Sequence, residues 1–477
     1  MVVQHNLTAM NSNRMLGITS SAQAKSSEKL SSGYKINRGA DDAAGLAISE
    51  KMRRQIRGLT QASSNAEDGI SAVQTAEGAL NEVHDMLQRM NELATKAANG
   101  TMSASDRQSV QNEVDQLVTE IDRVSETTKF NETELLKGGN TKTKVYMNGH
   151  DAGLKGSLID TARVATFNLA AKSISYGSTI NIGGKNYTIA LKTVSSVAAK
   201  ITDSLSTVKI DNHNYSIVAD YSEYGGNTDT ARAVANAANV YTAEDARKLV
   251  GSYSSVVAQG VTYKVLVDEN EDGVDDTNSS VISIGRAAKL ITTALKAANL
   301  IGVDNPADVK VELTNKAALT ANAIGGKTIS FKITKGSAET MDKLNFNLHV
   351  GAEADMNNKI NVDISSMSAK ALGIKGINVA DGTGSAATYA IDAIADALQK
   401  VSDQRAALGA VQNRLEHTIK NLDNVVENTT SAESQIRDTD MASEMVKYSN
   451  NNILQQAGQS MLAQANQSNQ GVLSLLG

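Results

Sequence analysis

The sequence predicts a mainly α protein with an α+β insert: a long antiparallel helical bundle built from both ends of the chain, with a hairpin-rich, solvent-facing domain inserted between them. Three observations predict it. Apolar or small residues at Val73, Ala76, Leu80, Val83, Leu87, Met90, Ala94 and Ala97 alternate by three and four, the signature of a coiled-coil seam. The same period returns at Val110, Val114, Leu117, Ile121 and Val124, and again far away at Ile394, Val401, Leu408, Leu415 and Leu422. Between the seams, from 138 to 340, the helical period gives way to short alternating runs separated by glycine turns.

Composition fits long helices. Proline occurs once in 477 residues, at Pro306, where average usage would give about two dozen. The chain has no Cys, which excludes disulfides, thiolate catalysis and Cys-based metal sites. Net charge of -6 argues against a nucleic-acid binder, and no run of eighteen apolar residues is present to span a membrane. Met1 to Ile18 lacks a basic stretch followed by an apolar one, so no Sec-type signal peptide is expected.

In order, residues 1–42 carry a thin apolar stripe at Val3, Leu7, Met10 and Leu30 among Ser, Asn and Gln. The helical period is present, but the stripe is too weak to hold an isolated helix. The segment is expected to be disordered in the monomer and helical only against partners. Residues 438–477 mirror it, with Met445, Ile453, Met461, Val472, Leu473 and Leu476 among Gln and Asn. The stem is expected from 43–137 and 341–437. Asp41 or Asp42 is placed to cap a helix starting near Ala43. On that helix Lys51, Arg53, Arg54 and Arg57 form a basic cluster, set against the acidic stretch Asp423, Glu427, Glu433, Asp438, Asp440 and Glu444.

The run LSSGYKINRGADDAAGLAISEKMRRQIRG, preceded by HNLTAMNSNRMLG, resembles the amino-terminal signature of bacterial flagellin. The run LGAVQNRLEHTIKNLDNVVENTTSAESQIRDTDMASEMV near the other end is similar to the flagellin carboxyl-terminal signature. The resemblance implies a structural, non-enzymatic subunit that self-assembles into the flagellar filament without a cofactor. It also implies secretion by the flagellar type III route, with the export apparatus, an export chaperone and the filament cap as partners. By the same resemblance, Gln88, Arg89, Leu93 and Glu113 match the surface at which host Toll-like receptor 5 docks, with Arg89 as a hydrogen-bonding fork and Leu93 as an exposed apolar knob. A hook–filament junction protein of the same architecture is the alternative, as is a binding or enzymatic domain displayed on a filament.

Residues 344–379 resemble the family hairpin that packs on the stem. Within 138–340, hairpins are expected at 180–191, turning at Gly183–Lys185, and at 208–218, turning at Asp211–Asn214; strands at 261–267 and, after a turn at Gly325–Lys327, at 329–333; and helices at 230–239 and 286–299; their recurrence suggests a degenerate repeat. The one metal candidate is Asp268, Asn270, Asp272 and Asp276, matching the first nine positions of a calcium loop. Position twelve is Ser279 where an EF-hand needs a bidentate Glu, so an acidic solvated turn is the competing reading.

Overall fold

The computed structural model describes residues 6–169, 174–226, 229–314 and 329–474. Its α-helices are, in chain order, α1 (Leu7–Ser32), α2 (Ala43–Ala98), α3 (Ala104–Thr127), α4 (Val194–Ala198), α5 (Asp229–Ala237), α6 (Ala243–Lys248), α7 (Ile284–Ala298), α8 (Ala369–Leu372), α9 (Ser385–Arg437) and α10 (Met441–Ser474). The chain divides into two compact units. One takes Met1–Ser71, Phe346–Val362 and Ala410–Gly477; the other takes Ala72–Asn345 and Asp363–Gly409. The division falls inside α2 and α9.

The first unit brings the two ends of the chain together. Asn6 caps α1 by accepting a hydrogen bond from the Ala9 N–H at 2.9 Å, and Gly33, at φ 76°, ends it in the left-handed conformation that favours glycine. Asp42, not Asp41, caps α2, accepting from the Gly45 N–H at 2.9 Å. Asp41 instead accepts from the N–H groups of Asn37 and Arg38 and so fixes the linker. That linker is stitched to the junction of α9 and α10, where Lys35 N–H donates to the Arg437 carbonyl at 2.7 Å and Thr439 N–H to the Gly33 carbonyl at 2.9 Å. The Arg437 guanidinium stacks 4.8 Å from the centre of the Tyr34 ring and also pairs with Glu50 at 2.8 Å. Of the basic cluster, Arg53 reaches across to Glu433 at 3.7 Å.

Lower in the same unit, the hairpin Leu344–His349 with Lys359–Ile364 supplies Leu348, Val350 and Ile360 to a core with Ala66, Ile70, Val411, Leu415 and Ile419. Two glycines of α2 let the hairpin approach. A Cβ at Gly69 would fall 2.2 Å from Leu348 Cδ1, and one at Gly58 would fall 2.9 Å from Ala352 Cβ.

In the second unit α2, α3 and α9 form the bundle. Val73, Leu80, Val83, Leu87, Met90 and Leu408 are each at most 1% exposed. Ser103 and Asp106 close a reciprocal capping box at the start of α3. Two seam residues further along α9, Leu415 and Leu422, are buried in the first unit.

The β-rich part of this unit repeats one module. A hairpin Thr207–Ile210 with His213–Val218 is followed by α5, then by Val240–Thr242, which pairs parallel to 213–218 and leads into α6. A second hairpin, Thr179–Ile182 with Lys185–Ala190, is completed by Val281–Ser283, which pairs parallel to 185–190 and leads into α7. Thr242 and Ser283 cap their helices in the same way, accepting from the N–H three residues on. The degenerate repeat is thus nested: the first-mentioned module lies between the hairpin and the third strand of the second. Val256 and Val208 sit in the core of the inner module, whereas Ile189, Phe167, Phe331 and Ile291 sit in that of the outer one. The outer core also takes Tyr389 of α9. The strand Ile329–Thr334 pairs with Lys310–Leu313 and Val164–Leu169; the turn expected at Gly325–Lys327 lies outside the described residues.

Candidate interaction surfaces

The Asn99–Gly100 turn folds α3 back along α2 and opens a cleft of about 610 Å³ between them, lined by Arg89, Glu92, Leu93, Lys96, Met102 and Glu113 among others. Arg89 sits on its rim. It donates from Nε to Glu113 Oε1 at 2.9 Å and from Nη1 to Glu92 Oε2 at 3.1 Å. Gln88 is tied one turn back, its Nε2 lying 2.9 Å from His84 Nε2. Leu93 departs from expectation: it is 3% exposed and forms part of the cleft floor instead of an exposed knob. A residue flanking the seam is covered on the side where a third helix packs, and the pattern of α2 alone does not say which side that is.

The end of α2 is tied down by a residue the sequence reading missed. Arg107, 5% exposed, donates to the carbonyls of Ala97 at 3.3 Å, Gly382 at 3.1 Å and Asn99 at 3.5 Å. It thereby satisfies carbonyls left over at the end of α2. Arg107 stands three residues before Val110 and continues the apolar seam of α3, a signal that could have been read, because a guanidinium on a buried stripe must find carbonyl or carboxylate partners.

The second surface is the α1/α10 pair. The two helices run antiparallel, with Asn6 Nδ2 donating to the Ala465 carbonyl at 3.3 Å and Gly458 lying against Leu16. The single chain therefore supplies a first partner for each end, and both are helical where the sequence suggested disorder without a neighbour. Their apolar side chains are another matter. Leu7, Met10, Met15, Ile18, Met441, Met445, Val446, Ile453, Leu454 and Met461 are all between 49% and 71% exposed. Val472 and Leu473, as side chains, and Leu476 lie outside the described residues.

The acidic turn is internally satisfied for the most part. Asp268 Oδ2 accepts from Gly273 N–H at 2.9 Å, Asn270 Oδ1 from Asp272 N–H at 3.1 Å, and Asp276 Oδ2 from Glu269 N–H at 2.7 Å. Asp275, which the calcium pattern does not use, receives the N–H groups of Val267, Thr277 and Asn278. Among the described residues no three His, Cys, Asp or Glu side chains converge as a metal-binding set. No helix among the described residues is long and apolar enough to cross a membrane.

Comparison with known proteins agrees with this architecture. The family model of the bacterial flagellin N-terminal helical region matches residues 3–141, and that of the C-terminal helical region matches residues 391–476. A flagellin of Clostridium tyrobutyricum is 37% identical, over 98% of this chain and 100% of that protein. The flagellin of Salmonella typhimurium is 34% identical over 100% of this chain and 99% of its own length, and that of Halalkalibacterium halodurans 32% identical over 100% of both. Terminal helical regions that match at both ends, and relatives aligned along essentially the full chain, establish that the chain belongs to the bacterial flagellins, the structural subunits of the flagellar filament.

Proposed function

We propose that this flagellin polymerises through α1 and α10, whose apolar stripes pack against the same helices of neighbouring copies. The observation that carries the reading is the run of exposed Leu, Met, Ile and Val along both helices. Each such side chain gains about 1.5–3 kcal/mol on full burial, while fixing a residue of a frayed end costs about 1–2 kcal/mol in backbone entropy. In the free chain most of that gain is unrealised, so the ends are marginal; in a filament it is realised on several sides at once. Coupling of folding to assembly keeps the exported chain soluble and confines growth to a site where neighbours are already ordered. The route is the flagellar type III system, with a chaperone covering the terminal stripes before export and a cap guiding folding at the tip. Absence of cysteine suits a chain threaded unfolded.

The test is removal of residues 1–33 and 441–477. The trimmed chain is expected to stay folded and soluble and to form no sedimentable filaments, while the full chain assembles. Filaments from the trimmed chain, seen by electron microscopy, would refute the reading.

The cleft between α2 and α3 favours a second role as the surface met by Toll-like receptor 5. Arg89 offers a planar fork at the rim, held by Glu113 and Glu92, and residues of this kind dominate interfaces. With Leu93 buried, the apolar contribution falls to the cleft rather than to a protruding side chain. Arg89→Ala is expected to lower receptor activation in reporter cells by about tenfold or more, in line with loss of an interface arginine, with the helical signal of the monomer unchanged. Unaltered activation would remove Arg89 from the contact.

A further inference from the structure

We propose that Asn99 is a spontaneous modification site, at which attack by the Gly100 nitrogen exchanges the side-chain amide for an acid. The chain has two Asn-Gly steps, Asn99–Gly100 and Asn148–Gly149. The dipeptide itself does not rank them, because glycine carries no Cβ to shield the attacking nitrogen in either. Access to water does not rank them, since both asparagines are exposed. Their hydrogen bonds do. The reaction is the same in both steps: the glycine N–H gives its proton to hydroxide, the nitrogen bonds to the asparagine Cγ, and the Cγ–Nδ2 bond breaks with release of ammonia. Water then opens the five-membered imide at one of its two carbonyls, leaving aspartate or a main chain that runs on through the side-chain carboxyl. Such a step needs a nitrogen free to lose its proton, a carboxamide free to turn toward it, and backbone able to bring the two together.

Asn148–Gly149 lacks all three. Gly149 N–H donates to Asp160 Oδ2 at 3.1 Å, and a carboxylate beside that nitrogen opposes loss of its proton. Asn148 Nδ2 donates to Asp396 Oδ2 at 2.8 Å, which holds the carboxamide away from the attack. The backbone is clamped on both sides, by Met147 N–H on the Gly336 carbonyl at 3.1 Å and by the Asn299 side chain on both the N–H and the carbonyl of His150, at 3.0 and 2.9 Å. At Asn99–Gly100 the corresponding groups are unengaged: among the described residues neither the Gly100 N–H nor Asn99 Nδ2 donates a hydrogen bond, and nothing lies within 4 Å of where a Gly100 Cβ would stand. Asn99 Oδ1 accepts from Thr101 N–H at 3.3 Å, so the carboxamide is folded over the Gly100 peptide with its carbonyl polarised.

The product falls at a structural joint. Arg107 donates to the Asn99 carbonyl at 3.5 Å, and Thr101 and Met102 line the cleft between α2 and α3. A new carboxylate just past Ala98 meets the negative end of the α2 dipole, and the rearranged product lengthens the main chain by one carbon ahead of Thr101. Modification at Asn99 therefore acts on the turn that joins α2 to α3.

The test follows both steps in one sample. Full-length protein is incubated in mildly alkaline buffer, with and without denaturant, and peptide mass spectrometry reads the exchange of amide for acid at each asparagine over time. In the native chain Asn99 is expected to convert about tenfold faster than Asn148 or more, because Asn148 must first give up hydrogen bonds to two carboxylates. In denaturant those bonds are gone, and the two rates should agree within about threefold. Gly100→Ala, whose methyl group has open space, crowds the nitrogen and should slow conversion at Asn99 while leaving Asn148 unchanged. Equal native rates, faster conversion at Asn148, or no native conversion at Asn99 overturn the assignment. A preference that persists undiminished in denaturant overturns it too, since its source would then be the neighbouring sequence and not the fold. Conversion of Gly100→Ala at the parent rate would exclude attack by the Gly100 nitrogen.

Discussion

Asp245 has an environment that a sequence pattern does not announce. Its N–H donates to the Thr242 hydroxyl that caps α6, and its carboxylate is reached by the Tyr221 hydroxyl at 2.9 Å, Arg232 Nε at 3.0 Å and Lys248 Nζ at 2.9 Å. The Lys248 hydrogen bond is the largest influence on its titration; burial opposes it, and Tyr221 and Arg232 add to it, so the pKa is held below the ordinary aspartate value of 3.8. A depressed folded value means that the stabilisation is complete above the unfolded pKa and is lost as pH falls through the folded one. Thermal unfolding of the full chain should therefore show Asp245→Asn destabilised by about 1–2 kcal/mol at pH 7, the exposed Lys248 and Arg232 being discounted for solvent screening. The gap should close only as pH falls beneath the ordinary aspartate value and through the lower folded one, where the carboxylate protonates in both states; a gap independent of pH would rule the carboxylate's charge out as its source. Only the capping geometry of this cluster was open to sequence reading, since Thr242 stands three residues before Asp245. Tyr221 and Arg232 arrive from other segments, and nothing local in the chain brings them there.

Elements differ in how openly the sequence displays them, and the reason is periodicity under burial. The seam of α2 is readable because each of Val73, Leu80, Leu87 and Met90 must face the same partners, so the chain repeats itself. Leu93 is misread as exposed because a position flanking the seam is covered wherever a further helix packs, and the α2 pattern does not encode that placement. The hairpin at 207–218 illustrates the opposite problem. Four polar residues, Asp211 to Asn214, read as a turn, yet only Asp211 and Asn212 form it, at φ 48° and 74°, while His213 and Asn214 extend the strand. Both positive φ values suit a two-residue hairpin turn, and Asp and Asn tolerate them better than most residues. Solvent-facing strand positions accept polar side chains, so polarity alone overstates a turn's length. At the chain ends each stripe is too thin to name its partner, and the pairing of α1 with α10 becomes visible only where both lie in one unit.

At the scale of the molecule, the nested module makes a prediction about modularity. The inner module leaves the outer one at Leu191 and returns at Val265, which lie side by side: Leu191 N–H donates to the Lys264 carbonyl at 3.1 Å and Leu266 N–H to the Leu191 carbonyl at 2.9 Å. Its core residues, from Val197 through Val208 and Ile217 to Val256, belong to a cluster separate from that built on Phe167, Phe331 and α7. The segment 265–280 then carries the chain back so that Val281–Ser283 can run parallel to 188–190. A parallel pairing needs a crossover of about a dozen residues, and that segment already provides one. Replacing 192–264 with a short glycine-serine linker should therefore preserve the outer core, the α2/α3/α9 bundle and the terminal pair. The excised chain is expected to keep its helical circular-dichroism signal, unfold cooperatively and assemble into filaments of reduced outer mass by electron microscopy. Aggregation together with loss of cooperative unfolding would mean that the outer core depends on the inner module. In that case the shared neighbour Tyr176, which packs against both clusters, and the Ala190, Leu266 and Val281 contact at the junction would be the places where the two modules are energetically joined.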